Sequence, residues 1–188
     1  MTNILITGVG GQGSLLASRI LGALLGNAGL EVKVSEVHGM SQRGGSVVTY
    51  VRGGERVDAP LIPKGEVDLL IAFEQIEALR WLSHLRPGGK VAMSTQKILP
   101  MPVISGAAAY PADVEDTVTR RFPGSRIVDA LELARTCGGE KSANVVMLGA
   151  ASTLLPYGAD AWKAALTACI KPKFLEMNLL AFEKGRDT

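Results

Sequence analysis

The sequence predicts an α/β fold: a three-layer domain on a mainly parallel sheet, with an inserted antiparallel hairpin and a helical C-terminus. Asn3–Thr7 (NILIT) is a short apolar run leading into a glycine cluster and then a helical pattern, as a strand buried on both faces does. Strand-like and helix-like segments alternate again from Val67 onward. Between these regions, apolar and polar residues alternate around paired glycines, the signature of a hairpin.

The elements follow in order. Ser14 to Gly26 places Leu16, Ile20 and Leu24 on one helical face with Leu15 and Leu25 beside it, and Gly26 and Gly29 end it. Glu31–Val37 (EVKVSEV) alternates as a strand does, and His38–Gly45 (HGMSQRGG) is a loop. Ser46–Arg52 and Glu55–Asp58 flank Gly53-Gly54 as the two arms of the hairpin. Val67–Ala72 is a strand, and Phe73–Arg86 a helix stopped by Pro87-Gly88-Gly89. Lys90–Ser94 is another strand, and a proline-bearing connection leads to a further one near Val103–Tyr110. Asp113–Phe122 is helical, Arg126–Val128 a short strand and Ala130–Cys137 a helix. Asn144–Leu155 and Ala159–Gly185 close the chain as helices, the latter interrupted at Pro172. There Trp162, Leu166, Ile170, Phe174 and Phe182 are expected in the core, and any exposed remainder of that face is a docking surface. No repeat or linker divides the 188 residues. At about 150 residues per domain, residues 1–188 form a single domain.

Composition narrows the function. The chain is 47% hydrophobic and 20% charged, which suits a packed globule. A net charge of +2 with interspersed signs and only 5% aromatics offers neither the field nor the stacking surface that nucleic acid needs. Cys137 and Cys169, 32 residues apart, supply neither a disulfide scaffold nor the ligands of a zinc ribbon or four-cysteine cluster, and read as small buried hydrophobes. Residues 1–18 are uncharged but lack a basic n-region, and residues 142–159 are broken by Asn144, Gly149, Pro156 and Gly158. A cytoplasmic protein with reduced thiols, no signal peptide and no membrane span is expected.

Gly8-Val9-Gly10-Gly11-Gln12-Gly13 matches G-x-G-x-x-G between a strand and a helix, the Rossmann-like context the motif requires. Such a loop lets backbone N–H groups approach a phosphate at the positive end of a helix dipole. The same glycines also serve a purely structural turn. Glu36, 23 residues after Gly13, stands where a dinucleotide's ribose-binding acid would. Yet residues 39–58 hold five glycines and the alternating VVTYV run, not the crossover helix such a fold needs. Glu36 then reads as a loop-end carboxylate that pairs with a base or caps a turn, and an NAD(P) dehydrogenase becomes the secondary reading.

In Ser41-Gln42-Arg43-Gly44-Gly45 a guanidinium fork stands beside exposed backbone N–H groups at the carboxyl end of a strand. That combination suits a phosphate or carboxylate, and equally a surface turn with a solvated Arg43.

GVGGQG opening a helix, then SEVHGMSQRGG and the VVTYVRGG segment, together resemble the gamma-type subunit or domain of the 2-oxoacid:ferredoxin oxidoreductases, nearest to the indolepyruvate branch. The resemblance continues through Phe73–Val91, Lys141–Ala150 and Asn178–Gly185, and so spans essentially the whole chain. It implies oxidative decarboxylation of a 2-oxoacid on thiamine diphosphate, electron transfer through iron–sulfur clusters to ferredoxin, and an acyl-coenzyme A product. This chain has no thiamine motif and no C-x-x-C-x-x-C run, so the implied thiamine diphosphate and 4Fe–4S clusters belong to a larger alpha-type partner subunit. The chain is then a small non-redox subunit of a heteromeric enzyme. By the same resemblance, coenzyme A phosphates are assigned to Gly10, Gly11, Gln12, Gly13 and Ser14, and to Gln42, Arg43, Gly44 and Gly45. A pure assembly module that binds no ligand is the remaining alternative.

Other residues are set lower. Ser14 reads as a helix cap as readily as a phosphate ligand. Glu74 reads as a helix N-terminal charge, His84 as a surface residue on the polar side of its helix, and His38 as a turn histidine at the loop rim.

Overall fold

The structure, a computed structural model, describes residues 1–39 and 44–188, so Gln42 and Arg43 lie outside the described residues. The chain runs β1 (Thr2–Val9), α1 (Ser14–Asn27), β2 (Glu31–His38), β3 (Ser46–Gly54), β4 (Val67–Ala72), α2 (Gln75–Trp81) and β5 (Leu85–Ser94). It continues through α3 (Met101–Ile104), α4 (Val114–Arg121), β6 (Arg126–Val128), α5 (Ala130–Thr136), α6 (Ala143–Ser152), α7 (Ala159–Cys169) and α8 (Pro172–Arg186). The strands form one sheet in the order β2-β3-β1-β4-β5-β6. β1, β4, β5 and β6 pair in parallel, while β3 pairs antiparallel with both β1 and β2.

Alternation along β1 makes the three layers. Ile4 and Ile6 point to one face, where they pack with Leu21, Leu24 and Trp162; Leu5 points to the other, with Leu70, Met93 and Val118. The first face carries α1 and α5 to α8, the second α2 and α4. The tightest helix contact joins α6 and α8, where a Cβ on Gly149 would collide with the Phe182 carbonyl and one on Gly185 with the Val146 carbonyl. Bare glycines let these two helices approach to backbone contact.

Three elements and two side chains differ from their sequence expectation. Gly53-Gly54 is not a hairpin turn: both glycines are paired with β2 as the last two residues of β3, and the hairpin is β2 to β3. Gly53 is glycine because α1 lies on it, so that a Cβ would meet Leu25 Cδ1 at 2.9 Å. The Phe73–Arg86 helix starts at Gln75, ends as a 3₁₀ turn at Leu82–His84, and gives way to β5 before the Pro-Gly-Gly sequence rather than after it. No strand forms near Val103–Tyr110; Met101–Ile104 is a helical turn instead, and the following residues lack regular pairing. His84 is half-buried against Trp81, ring centroids 4.5 Å apart, with Nδ1 buried and unpaired; burial and nearby Lys64 hold its pKa below the usual range. Phe174 is exposed, whereas Trp162, Leu166, Ile170 and Phe182 lie in the core as expected.

Candidate functional site

Helices α1 and α2, which follow the adjacent parallel strands β1 and β4, lie on opposite faces of the sheet. Between the carboxyl ends of two such strands a crevice must open. Here it measures about 360 Å³ and is lined by Gly11, Gln12 and Gly13 on one side and by Gln96, Lys141 and Asn144 on the other.

The glycine loop at its rim is held by one side chain. Gln12 Oε1 accepts from Val9 N–H at 2.6 Å, while Nε2 donates to the Phe73 carbonyl and to Gln96 Oε1, each at 2.9 Å. A single amide thus ties the ends of β1, β4 and β5 together, and both of its donors are spent on the protein. Gly11 and Gly13 both have left-handed backbones, φ +104° and +88°. A Cβ on Gly13 would strike the Asn144 amide, whose Nδ2 donates to the Gly13 carbonyl at 3.1 Å, whereas one on Gly11 would meet open space. No side chain caps α1, and among the described residues no acceptor meets the N–H groups of Gly11 or Gly13. This bare helix start favours an anion.

The second loop meets the first by construction. Antiparallel register sets Val9 opposite Ser46, so the chain entering β3 lies beside the chain leaving β1. Gly10 N–H donates to the Gly45 carbonyl at 2.8 Å, and Gly44 N–H to the Gly10 carbonyl at 3.4 Å. The structure therefore brings together Gly10, Gly44 and Gly45 from the two predicted loops.

Ser14 and Glu36 differ from their expected roles. Gly13 occupies the N-cap, so Ser14 is the first helical residue and cannot cap; its Oγ donates instead to Glu36 Oε2 at 2.9 Å. The same carboxylate oxygen accepts from Thr49 Oγ1 at 3.0 Å. Glu36 sits within β2, and its described partners are hydroxyls rather than a base or a turn amide. It places a negative charge near the start of α1, so a bound anion there needs a cation beside it.

Of the polar residues behind the rim, sequence reasoning gave a role only to Glu74, as a helix N-terminal charge, and the structure places it at that end. Glu74, 1% exposed, is the N-cap of α2: Oε2 accepts from Glu77 N–H, and Oε1 from Ile98 N–H and Tyr110 O–H. Burial, with that carboxylate beside it, pushes the Tyr110 phenol far above its ordinary range. Glu77 accepts from Ser46 Oγ and pairs with Arg80 at 3.2 Å, and burial raises its pKa. An acidic residue directly after a strand, where a helix begins, is the signal that marks Glu74 in the sequence. Asn144 is a lone polar residue opening an apolar helix, a weaker signal.

Metal chemistry finds no foothold in this arrangement. Cys137 is buried and Cys169 half-buried, with its thiol pKa raised by burial, and among the described residues no three His, Cys, Asp or Glu side chains group to hold a metal ion. An iron–sulfur cluster therefore does not fit the described residues of this chain. Among the described residues, no helix is long and apolar enough to cross a membrane.

Comparison with known proteins gives the architecture a family. Residues 3–188 match the family described as pyruvate ferredoxin/flavodoxin oxidoreductase. The chain is 42% identical to the indolepyruvate oxidoreductase subunit IorB of Thermococcus kodakarensis over 97% of this chain and 93% of that one. In structure it resembles the gamma subunit of a keto/oxoacid ferredoxin oxidoreductase from Geobacter sulfurreducens, with a TM-score of 0.73, 23% identity and coverage of 100% and 97%. It also resembles a 2-oxoglutarate:ferredoxin oxidoreductase from Magnetococcus marinus, solved with 2-oxoglutarate, coenzyme A and succinyl-CoA bound. That likeness has a TM-score of 0.72 at 22% identity and covers 99% of this chain but 30% of that one. With the match running over residues 3–188, the chain belongs to the pyruvate ferredoxin/flavodoxin oxidoreductase family.

Proposed function

We propose that this chain is the small subunit of an oxidoreductase that decarboxylates indolepyruvate or a related aryl pyruvate to the acyl-CoA and CO₂ and passes two electrons to ferredoxin. A larger subunit supplies the thiamine diphosphate and 4Fe–4S clusters, ferredoxin is met through the complex, and the assembly works in the cytoplasm. The similarity to the Thermococcus subunit supports the substrate class. The uncharged segment 98–112 supports the partner: Leu99, Met101 and Ile104 are 51%, 71% and 62% exposed, an apolar surface that assembly would cover.

Within the complex, the two adjoining loops contribute contacts to coenzyme A phosphates. The observation that carries this is the Gly10–Gly45 pairing, which sets the second loop beside the bare start of α1. Gly11 and Gly13 then offer N–H groups, and the cationic contact that an anion near Glu36 requires is assigned to Arg43 of the second loop. Gln12 positions the loop rather than touching the ligand, since its amide is spent on Val9, Phe73 and Gln96.

The test is Arg43→Ala in the purified complex. Losing a charge-assisted contact of about 1.5–3 kcal/mol should raise the coenzyme A KM about ten- to hundredfold. The 2-oxoacid KM should stay put, and Arg43→Lys should recover only part of the loss because it lacks the fork. An unchanged coenzyme A KM with lower complex yield would reassign Arg43 to assembly.

A further inference from the structure

The opposite end of β5 from the glycine-loop crevice carries a second cleft of different character. β5 is irregular there: its pairing with β4 steps from Val67↔Leu85 to Leu69↔Lys90, so the residues between, Arg86 to Gly89, bulge from the sheet. Gly88 adopts φ +79°, and a Cβ on Gly89 would meet the Arg86 and Val67 carbonyls at 3.0 Å. The sequence thus commits two glycines to this bulge. Facing it across about 630 Å³ is the turn that ends α4, and Lys90 Nζ donates to the Pro123 carbonyl at 2.6 Å to hold the two walls in register.

The charges lining this cleft have one sign. Arg86, Lys90 and Arg121 line it, and no carboxylate does. Arg86 pairs through Nε with Asp68, which lies outside the lining, and its Nη1 donates to the Pro87 carbonyl at 3.3 Å; its Nη2 makes no described bond. Lys90 has used one of its three donors. Arg121 lies 5.7 Å from the Phe122 ring and forms no ion pair among the described residues. Two other clefts carry both signs: Lys141 and Glu140 line the glycine-loop crevice, and Arg80, Glu74 and Glu77 line the small pocket beside Gly44. Asp68 already balances Arg86 from outside the cleft, which leaves the Arg86 Nη2 group, the Arg121 guanidinium and two Lys90 donors around a glycine turn, and these are donors a phosphoryl group accepts.

We propose that the Arg86–Lys90–Arg121 cleft binds a small, multiply charged oxyanion of the phosphate or pyrophosphate type, at a site separate from the glycine loop. The inference rests on this cleft alone and stands apart from any role in coenzyme A binding.

Amide-shift titration of the isotopically labelled full chain with pyrophosphate tests it, with chloride at matched ionic strength as the control. Saturable shifts at Arg86–Lys90 and Arg121–Gly124 are expected, whether or not Gly11–Ser14 also respond. Arg121→Gln, a change on an exposed side chain, should weaken the response at the β5 bulge about tenfold or more and leave any response at Gly11–Ser14 intact. Shifts confined to Gly11–Ser14, no shifts, equal shifts with chloride, or an Arg121→Gln variant that titrates like the parent would each overturn the proposal.

Discussion

Gly11 and Gly13 stand two residues apart with left-handed backbones, yet they are glycine for different reasons. At Gly11 only the backbone angle excludes a side chain; at Gly13 the Asn144 amide also fills the place a Cβ would take. Gly11→Ala should therefore cost about 1–2 kcal/mol of backbone strain, and Gly13→Ala about 2–4 kcal/mol once displacement of Asn144 is added. Urea unfolding of the two variants checks the order. In the assembled enzyme Gly11→Ala should also weaken coenzyme A binding, because its new methyl projects into the space a phosphate would take, and a KM measurement reads that separately. The motif itself was legible in the sequence, since strand, glycines and helix succeed one another there. The division of labour within it was not, because Asn144 arrives from 131 residues away.

Tyr110 and Glu74 do at the scale of an element what Gln12 does for the loop. The segment between β5 and α4 has no strand neighbour; it is held to α2 by the Tyr110 phenol and the Ile98 N–H on one buried carboxylate. Tyr110→Phe removes the phenol and leaves Glu74 short of one donor, at a cost of about 1–3 kcal/mol. Hydrogen exchange should quicken from Ile98 to Ala112 while β1 and β4 keep their protection, and uniform quickening would show that the anchor supports the whole domain instead. The elements that sequence reasoning placed well are those whose own periodicity decides them, such as α1, β4 and β6. Those it misplaced are decided by neighbours. Gly53-Gly54 carries a turn signature, but α1 packs on it; the Pro-Gly-Gly of β5 looks like a terminator, but adjacent β4 pairs with it on both sides of a bulge.

At the scale of the molecule, the apolar surface of 98–112 and the two joined loops stand at the same end of the sheet, since β1, β2 and β5 all terminate there and β3 begins there. Met101→Asp combined with Ile104→Asp should leave the unfolding free energy of the isolated chain within about 0.5 kcal/mol, because both side chains face solvent. The same pair should abolish or sharply reduce co-purification with the large subunit. Undiminished complex would move the interface elsewhere, with the exposed Phe174 and Leu180 of α8 as the next surface to alter.

The insertion of β3 between β2 and β1 also sets the order in which this half of the sheet can assemble. In an all-parallel arrangement a strand, its helix and the next strand close on each other as soon as they are made. Here β1 and β2 are not neighbours in the sheet, so residues 1–45 contain no two strands that pair in the finished fold. The contact nearest in sequence is the β2–β3 hairpin, and β1, made before both, joins only after the later-made β3 exists to receive it. Until β3 emerges, the most apolar strand of this half has no native neighbour, which makes the nascent chain at that length the state most exposed to misassociation and most dependent on α1 for cover.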